Sequence, residues 1–101
     1  MFEIKFNPYS QAEYDGLDGS QKIFIDKGIQ RIRERGMIAG EALKGGLIGC
    51  NKLKNKSLGL RIVFREVLGV LEIIEIVAIG KRDKKRVYNA ARERIGDKES
   101  K

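Results

Sequence analysis

The chain has 101 residues, 42% hydrophobic and 35% charged, with a formal net charge of +7 at pH 7, one cysteine and no histidine. That length holds one domain with a modest core, and the composition excludes a disordered chain. An intramolecular disulfide, a Cys/His zinc site and histidine acid–base chemistry are excluded too, and no apolar run approaches the roughly 18–20 residues of a membrane helix.

Phe2, Ile4 and Phe6 alternate with Glu3 and Lys5, so residues 2–6 read as a half-buried strand. Asn7-Pro8 supplies a cap and a first-turn proline for a short helix over 8–15, ending near Gly16. Asp18-Gly19-Ser20 then starts a longer helix that ends near Gly36. Its Ile25, Ile29 and Ile32 form one apolar stripe widened by Phe24, while Arg31, Arg33 and Arg35 mostly face water. Residues 36–49 are a glycine-rich connector. Gly40 and Gly45 invite a phosphate-loop reading, but Gly46 stands where that loop needs lysine and no Ser/Thr follows. Those glycines fit turns and close backbone approach instead.

Three strands are predicted next, at 49–55, 60–66 and 70–79, joined by tight turns at 55–59 and 67–69. The last is apolar on both faces apart from Glu72 and Glu75, as an interior strand would be. A helix over 84–95 carries Val87, Ala91 and Ile95 on one stripe, and residues 96–101 read as a charged, flexible tail beyond a domain of residues 1–95. The fold class is therefore α+β in the order β-α-α-β-β-β-α. A mainly antiparallel sheet would carry the two N-terminal helices on one face, with a short helix at the C-terminus.

Charge is distributed unevenly. Residues 1–43 carry six Lys/Arg against seven Asp/Glu, and residues 44–101 carry fifteen against seven. Basic charge gathered in the sheet-forming half points to an anionic partner, although solubility alone would also account for the total. Lys52 and Lys54 project from one strand face opposite Leu53, and Arg61 points away from Leu60, Ile62 and Phe64. If these three share a helix-free face, they line one cationic surface suited to a phosphodiester. The same spacing also fits ordinary solvent-facing residues. Arg82 follows Gly80, where a turn would aim its side chain, and Tyr88 sits one turn into the last helix. Core packing beside Ala91 and Ile95 accounts for Tyr88 equally well. Lys84, Lys85 and Arg86 place positive charge at a helix start, against the helix dipole, which a bound anion would offset.

From Leu43 to Ile95 the chain resembles the RelE branch of the RelE/ParE toxin superfamily of bacterial toxin–antitoxin systems. The resemblance is carried by Cys50-Asn51-Lys52-Leu53-Lys54, Gly59-Leu60-Arg61-Ile62-Val63-Phe64, Ile79-Gly80-Lys81-Arg82, Val87-Tyr88-Asn89-Ala90 and Arg94-Ile95. It implies a ribosome-dependent endoribonuclease that cuts mRNA, with Lys52, Lys54, Arg61, Arg82 and Tyr88 catalytic. Lys44, Lys56, Lys81, Lys84 and Lys85 are expected to hold RNA. No metal and no other cofactor is expected. The implied partners are an acidic antitoxin, the 70S ribosome with its mRNA, and operator DNA only through the antitoxin complex, with no membrane involved. The N-terminus lacks the apolar core of a secretory signal, so the expected location is the cytoplasm.

The implied chemistry is attack of an RNA 2′-hydroxyl on its own 3′-phosphate. Tyr88 would be the general base, a role that nearby cations assist by favouring phenolate. Lys52, Lys54 and Arg61 would stabilise the phosphoryl oxygens, and Arg82 the leaving oxygen. Two alternatives stand beside this reading: a ParE-like toxin that inhibits DNA gyrase without nuclease activity, and an inactive basic nucleic-acid-binding relic.

Overall fold

In the computed structural model, residues 1–44, 47, 49–67, 73–82 and 85–99 are described. They form β1 (Glu3–Phe6), α1 (Pro8–Asp15), α2 (Gly19–Arg35), a 3-10 turn (Gly36–Ala39), β2 (Glu41–Ala42), β3 (Cys50–Asn55), β4 (Leu60–Glu66), β5 (Ile73–Lys81) and α3 (Arg86–Glu99). The five strands make one sheet in the order β1-β5-β4-β3-β2. β1 runs parallel to β5 and the other pairs are antiparallel. The architecture is the α+β class expected.

Both N-terminal helices start on reciprocal caps. Asn7 Oδ1 accepts from the Ser10 N–H at 2.7 Å while Ser10 Oγ accepts from the Asn7 N–H at 3.0 Å. Asp18 and Gln21 repeat the arrangement on α2, at 2.9 and 3.0 Å. Each cap satisfies N–H groups that the helix itself leaves free. Where β1 stops, residues of α1 and its cap take over the β5 edge. Asn7 Nδ2 donates to the carbonyls of Ile76 and Val77 at 3.3 and 3.2 Å, and the Ile79 N–H donates to Glu13 Oε1 at 2.9 Å.

Apolar side chains cover both faces of the sheet. On one, Ile25, Ile29 and Ile32 of α2 pack on Leu53, Ile62, Phe64, Ile74, Ile76 and Ile79. On the other, Val87, Ala91 and Ile95 of α3 pack on Cys50, Val63, Val77 and Ala78, with Leu47. Burying each of Val87 and Ile95 contributes on the order of 2 kcal/mol. Strand β5 serves both faces through a bulge. Val63 pairs with Ala78 and Phe64 with Ile76, which leaves Val77 as the extra residue. Val77 and Ala78 consequently both face α3, while Ile76 and Ile79 face α2.

Several boundaries differ from the sequence-based expectation. The connector holds the 3-10 turn and β2, because Glu41 and Ala42 pair with Lys52 and Asn51. A two-residue strand is too short for alternation to reveal. Strand β5 begins at Ile73 and reaches Lys81, with residues 68–72 outside the described residues. Helix α3 starts at Arg86 and runs through Glu99, so residues 96–99, expected as tail, continue the helix. Residues 100 and 101 lie outside the described residues. Among the described residues no helix is long and apolar enough to cross a membrane.

Candidate active site

The turn between β3 and β4 sets the geometry of the cationic cluster. Asn55 Oδ1 accepts from the Leu58 N–H at 3.0 Å and from Ser57 Oγ at 2.8 Å. Gly59 then closes the turn at φ +68°, a left-handed conformation that favours glycine. This places Lys54 directly opposite Arg61, and Arg61 directly opposite Gly80, in one rung across β3, β4 and β5. Directly opposed side chains share a face, so the rung brings two cations together, an arrangement that is destabilising without an anion.

Lys52, Lys54, Lys56, Gly59, Arg61 and Arg82 line a concavity of about 430 Å³. Five cations and, among the described residues, no carboxylate line it. Arg61 sits deepest, only 6% exposed, because its strand has neighbours on both sides. Its Nη1 donates to the Leu60 carbonyl at 2.9 Å, and its Nε is buried without a protein partner. Arg82 is exposed, and its N–H donates to the Gly59 carbonyl at 2.9 Å, which ties the end of β5 to the turn. Lys54 makes the only ion pair of these five among the described residues, with Glu41 Oε1 at 3.5 Å.

Tyr88 stands beside the concavity. Lys52 Nζ lies 5.8 Å from the centre of its ring, within cation–π range. The ring packs against the α3 cluster, and the hydroxyl is shielded from solvent with no hydrogen-bond partner. The core-packing account of this residue therefore holds, with Lys52 beside the ring. It packs in the core, and it keeps a polar atom unspent next to the lysine pair.

Two expectations are corrected. The face bearing Lys52, Lys54 and Arg61 is not helix-free. It is the α3 face, since Cys50 and Val63 on the same side of β3 and β4 pack under that helix. The first turn of the helix borders the cations, with Val87 near Gly80 in their rung and Tyr88 beside Lys52. Gly80 makes no turn, because β5 continues through it to Lys81, and a Cβ there would meet Val87 at an ordinary 3.6 Å.

Of the residues expected to hold RNA, Lys56 lines the concavity itself. Lys81 Nζ donates to the Leu58 carbonyl on the turn at 3.0 Å. Lys44 and Lys85 are exposed and do not line it, and Lys84 lies outside the described residues. Sequence reasoning passed over Glu41, an acid in a connector with no periodic signal around it. Gly40 brings that segment against β3: a Cβ there would stand 2.4 Å from the Lys52 carbonyl oxygen.

A second concavity, of about 520 Å³, lies between α1, α3 and β5 and includes Tyr9, Arg65, Glu75 and Arg94. Its cations are neutralised, Arg65 by Glu75 at 3.1 Å and Arg94 by Glu13 at 2.8 Å. Of the two, only the first offers unbalanced positive charge to an anion.

No family model matches the chain. It is 31% identical over 94 residues to an Escherichia coli protein described as a RelE-like toxin, a match covering 93% of this chain and 97% of that protein. It is 26% identical over 92 residues to the mRNA interferase toxin RelE of Escherichia coli, covering 91% and 95%. The fold agrees with a double arginine-to-alanine mutant of the E. coli toxin RelE in the free state at a TM-score of 0.78 and 23% identity, covering 93% of this chain and 97% of that one. Against the intact E. coli RelBE toxin–antitoxin complex the TM-score is 0.71 at 21% identity, covering 80% and 96%. This chain belongs to the RelE toxin family.

Proposed function

We propose that this chain is a ribosome-dependent mRNA endoribonuclease, acting in the cytoplasm as the toxin of a toxin–antitoxin pair. The observation that carries the reading is the acid-free concavity ringed by Lys52, Lys54, Lys56, Arg61 and Arg82, with the Tyr88 phenol beside it. Opposed cations on one rung fit a ligand whose charge develops on phosphoryl oxygens.

In the proposed step the RNA 2′-oxygen bonds to the adjacent phosphorus and the bond from phosphorus to the 5′-oxygen breaks. The products are a 2′,3′-cyclic phosphate and a free 5′-hydroxyl. Tyr88, entering the step as phenolate with its shielded oxygen turned toward the RNA, accepts the proton of the 2′-hydroxyl, and that oxygen has no competing partner among the described residues. Lys52, Lys54 and Arg61 stabilise the extra negative charge on phosphorus. Arg82, exposed at the rim, neutralises the departing 5′-oxygen, which takes its proton from solvent. No metal ion takes part in this scheme.

A guanidinium and a phenol are poorly matched to proton transfer at neutral pH. The residues present therefore fit weak cutting of free RNA. Holding mRNA on the ribosome with its 2′-hydroxyl in line would supply the missing rate, since orientation alone is worth up to roughly 7–11 kcal/mol. The antitoxin partner would be an acidic segment covering the positive half of the chain.

The deciding experiment is primer extension on mRNA bound to 70S ribosomes, with the wild type and Tyr88→Phe. The wild type should cut and the variant should not, while both cosediment with ribosomes. Equal cutting by Tyr88→Phe would remove the phenol from the reaction, and no cutting by the wild type would overturn the ribonuclease reading.

A further inference from the structure

We propose that Glu41 is a built-in counter-ion for Lys54 that the phosphate of RNA displaces, so that this carboxylate sets how tightly the site takes RNA. The proposal rests on the site being directed at RNA, and it adds a residue that the resemblance does not supply.

Four observations lead to it. Lys54 and Arg61 oppose each other on one rung, and Arg61 is buried. Among the described residues no acid lines the concavity they share. Glu41 Oε1 reaches Lys54 Nζ at 3.5 Å from the neighbouring strand, where Glu41 itself is paired with Lys52. The segment carrying it is fixed by packing, since Gly40 presses on the Lys52 carbonyl more closely than any side chain would allow.

The free protein thus relieves its cation repulsion with a carboxylate of its own. The Glu41 side chain is 64% exposed and that of Lys54 36% exposed, and exposed ion pairs contribute little. A phosphate that also meets Arg61 and Lys52 outcompetes that single contact. Lys54 then turns from carboxylate to phosphate, and Glu41 gathers a cation from solution.

This exchange has a measurable signature. Each phosphate that neutralises a free protein cation releases condensed counter-ions and steepens the salt dependence by about 0.7 for single-stranded nucleic acid. At Lys54 that release is offset by the cation Glu41 takes up. Removing the carboxylate should restore the missing release.

The test uses a short single-stranded RNA with 2′-O-methyl groups, which cannot be cut, titrated over a KCl series. The proteins are the wild type, Glu41→Gln, Lys54→Ala and the double variant. Glu41→Gln should bind about 2–5-fold more tightly at low salt, the range an exposed ion pair supports, with a slope steeper by about 0.7. In the Lys54→Ala background the same substitution should change neither quantity. Unaltered affinity and slope in Glu41→Gln would overturn the proposal. So would an equal gain with and without Lys54, which is what loss of any nearby negative charge would give. Absence of RNA binding by all four proteins would instead remove the RNA-directed reading itself, and this proposal with it.

Discussion

Arg94 holds Glu13 with both arms of its guanidinium, Nη1 to Oε1 at 3.0 Å and Nη2 to Oε2 at 2.8 Å. The same Nη1 donates to the Val77 carbonyl at 2.8 Å, and Glu13 Oε1 also accepts from the Ile79 N–H at 2.9 Å. One two-pronged pair thereby joins α1, α3 and the bulged stretch of β5. The side chains are 18% and 28% exposed, so solvent screens the pair only in part. Such planar, doubly bonded contacts are among the stronger charged interactions.

Arg94→Ala or Glu13→Ala should therefore cost roughly 1–3 kcal/mol, seen as a lower urea midpoint with an unchanged slope. Glu13→Gln retains an acceptor for Ile79 and should lose less. Unaltered midpoints in both alanine variants would show that the pair contributes nothing to holding α3 in place.

The two arginines of the concavity should separate stability from activity. Arg82 is exposed and its side chain makes no hydrogen bond or ion pair among the described residues, so Arg82→Ala should leave the melting temperature nearly unchanged. Its single-turnover cleavage on ribosomes should fall at least ~10-fold, about 1.4 kcal/mol in barrier. Arg61 is buried with an unsatisfied Nε. Arg61→Met, which fills similar space without a charge, should abolish cleavage and raise stability by about 1 kcal/mol. A destabilised Arg61→Met protein would mean that the guanidinium is better accommodated than its lone carbonyl bond indicates.

Acid should loosen α2 from its N-terminal end. The Asp18 carboxyl is held below its ordinary range, first by the Gln21 N–H and next by the Ser20 hydroxyl. A depressed carboxylate pKa contributes stability that is complete above the unfolded value of about 4 and is lost as pH falls through the folded value. Unfolding midpoints measured from pH 6 downward should show this loss beginning near pH 4. Asp18→Asn, which caps without titrating, should lack that component. Identical pH profiles for the two proteins would remove Asp18 from the acid response.

Local signals carried much of this architecture. Asn7-Pro8 and Asp18-Gly19-Ser20 mark helix starts that the structure reproduces, and the alternation around Leu60, Ile62 and Phe64 gives β4 its observed limits. What stayed hidden depends on contacts distant in sequence. The Val77 bulge leaves no trace in a strand already apolar on both faces. β2 exists only because Gly40 presses that segment onto β3. Alternation put Lys52, Lys54 and Arg61 on one face, but nothing local told which face α3 would cover. Tyr88 was legible as a residue near the cations and illegible as a shielded hydroxyl, since burial of one atom is decided by the whole of α3.

The first strand of the protein pairs with the last, Glu3 meeting Ile73 and Phe6 meeting Ile76. During synthesis β1 therefore waits without a strand partner until Ile73 and the residues after it have been made. The bulge and the packing of α3 assemble only after that closure, because β5 supplies one side of each, and Gly80 then completes the rung that Lys54 and Arg61 begin. A polypeptide interrupted before Ile73 would carry both lysines and the arginine on β3 and β4 but lack the β5 strand that flanks β4 on its other side. The completed fold thus waits for β5, and the cationic surface takes its final form only once that strand has been made.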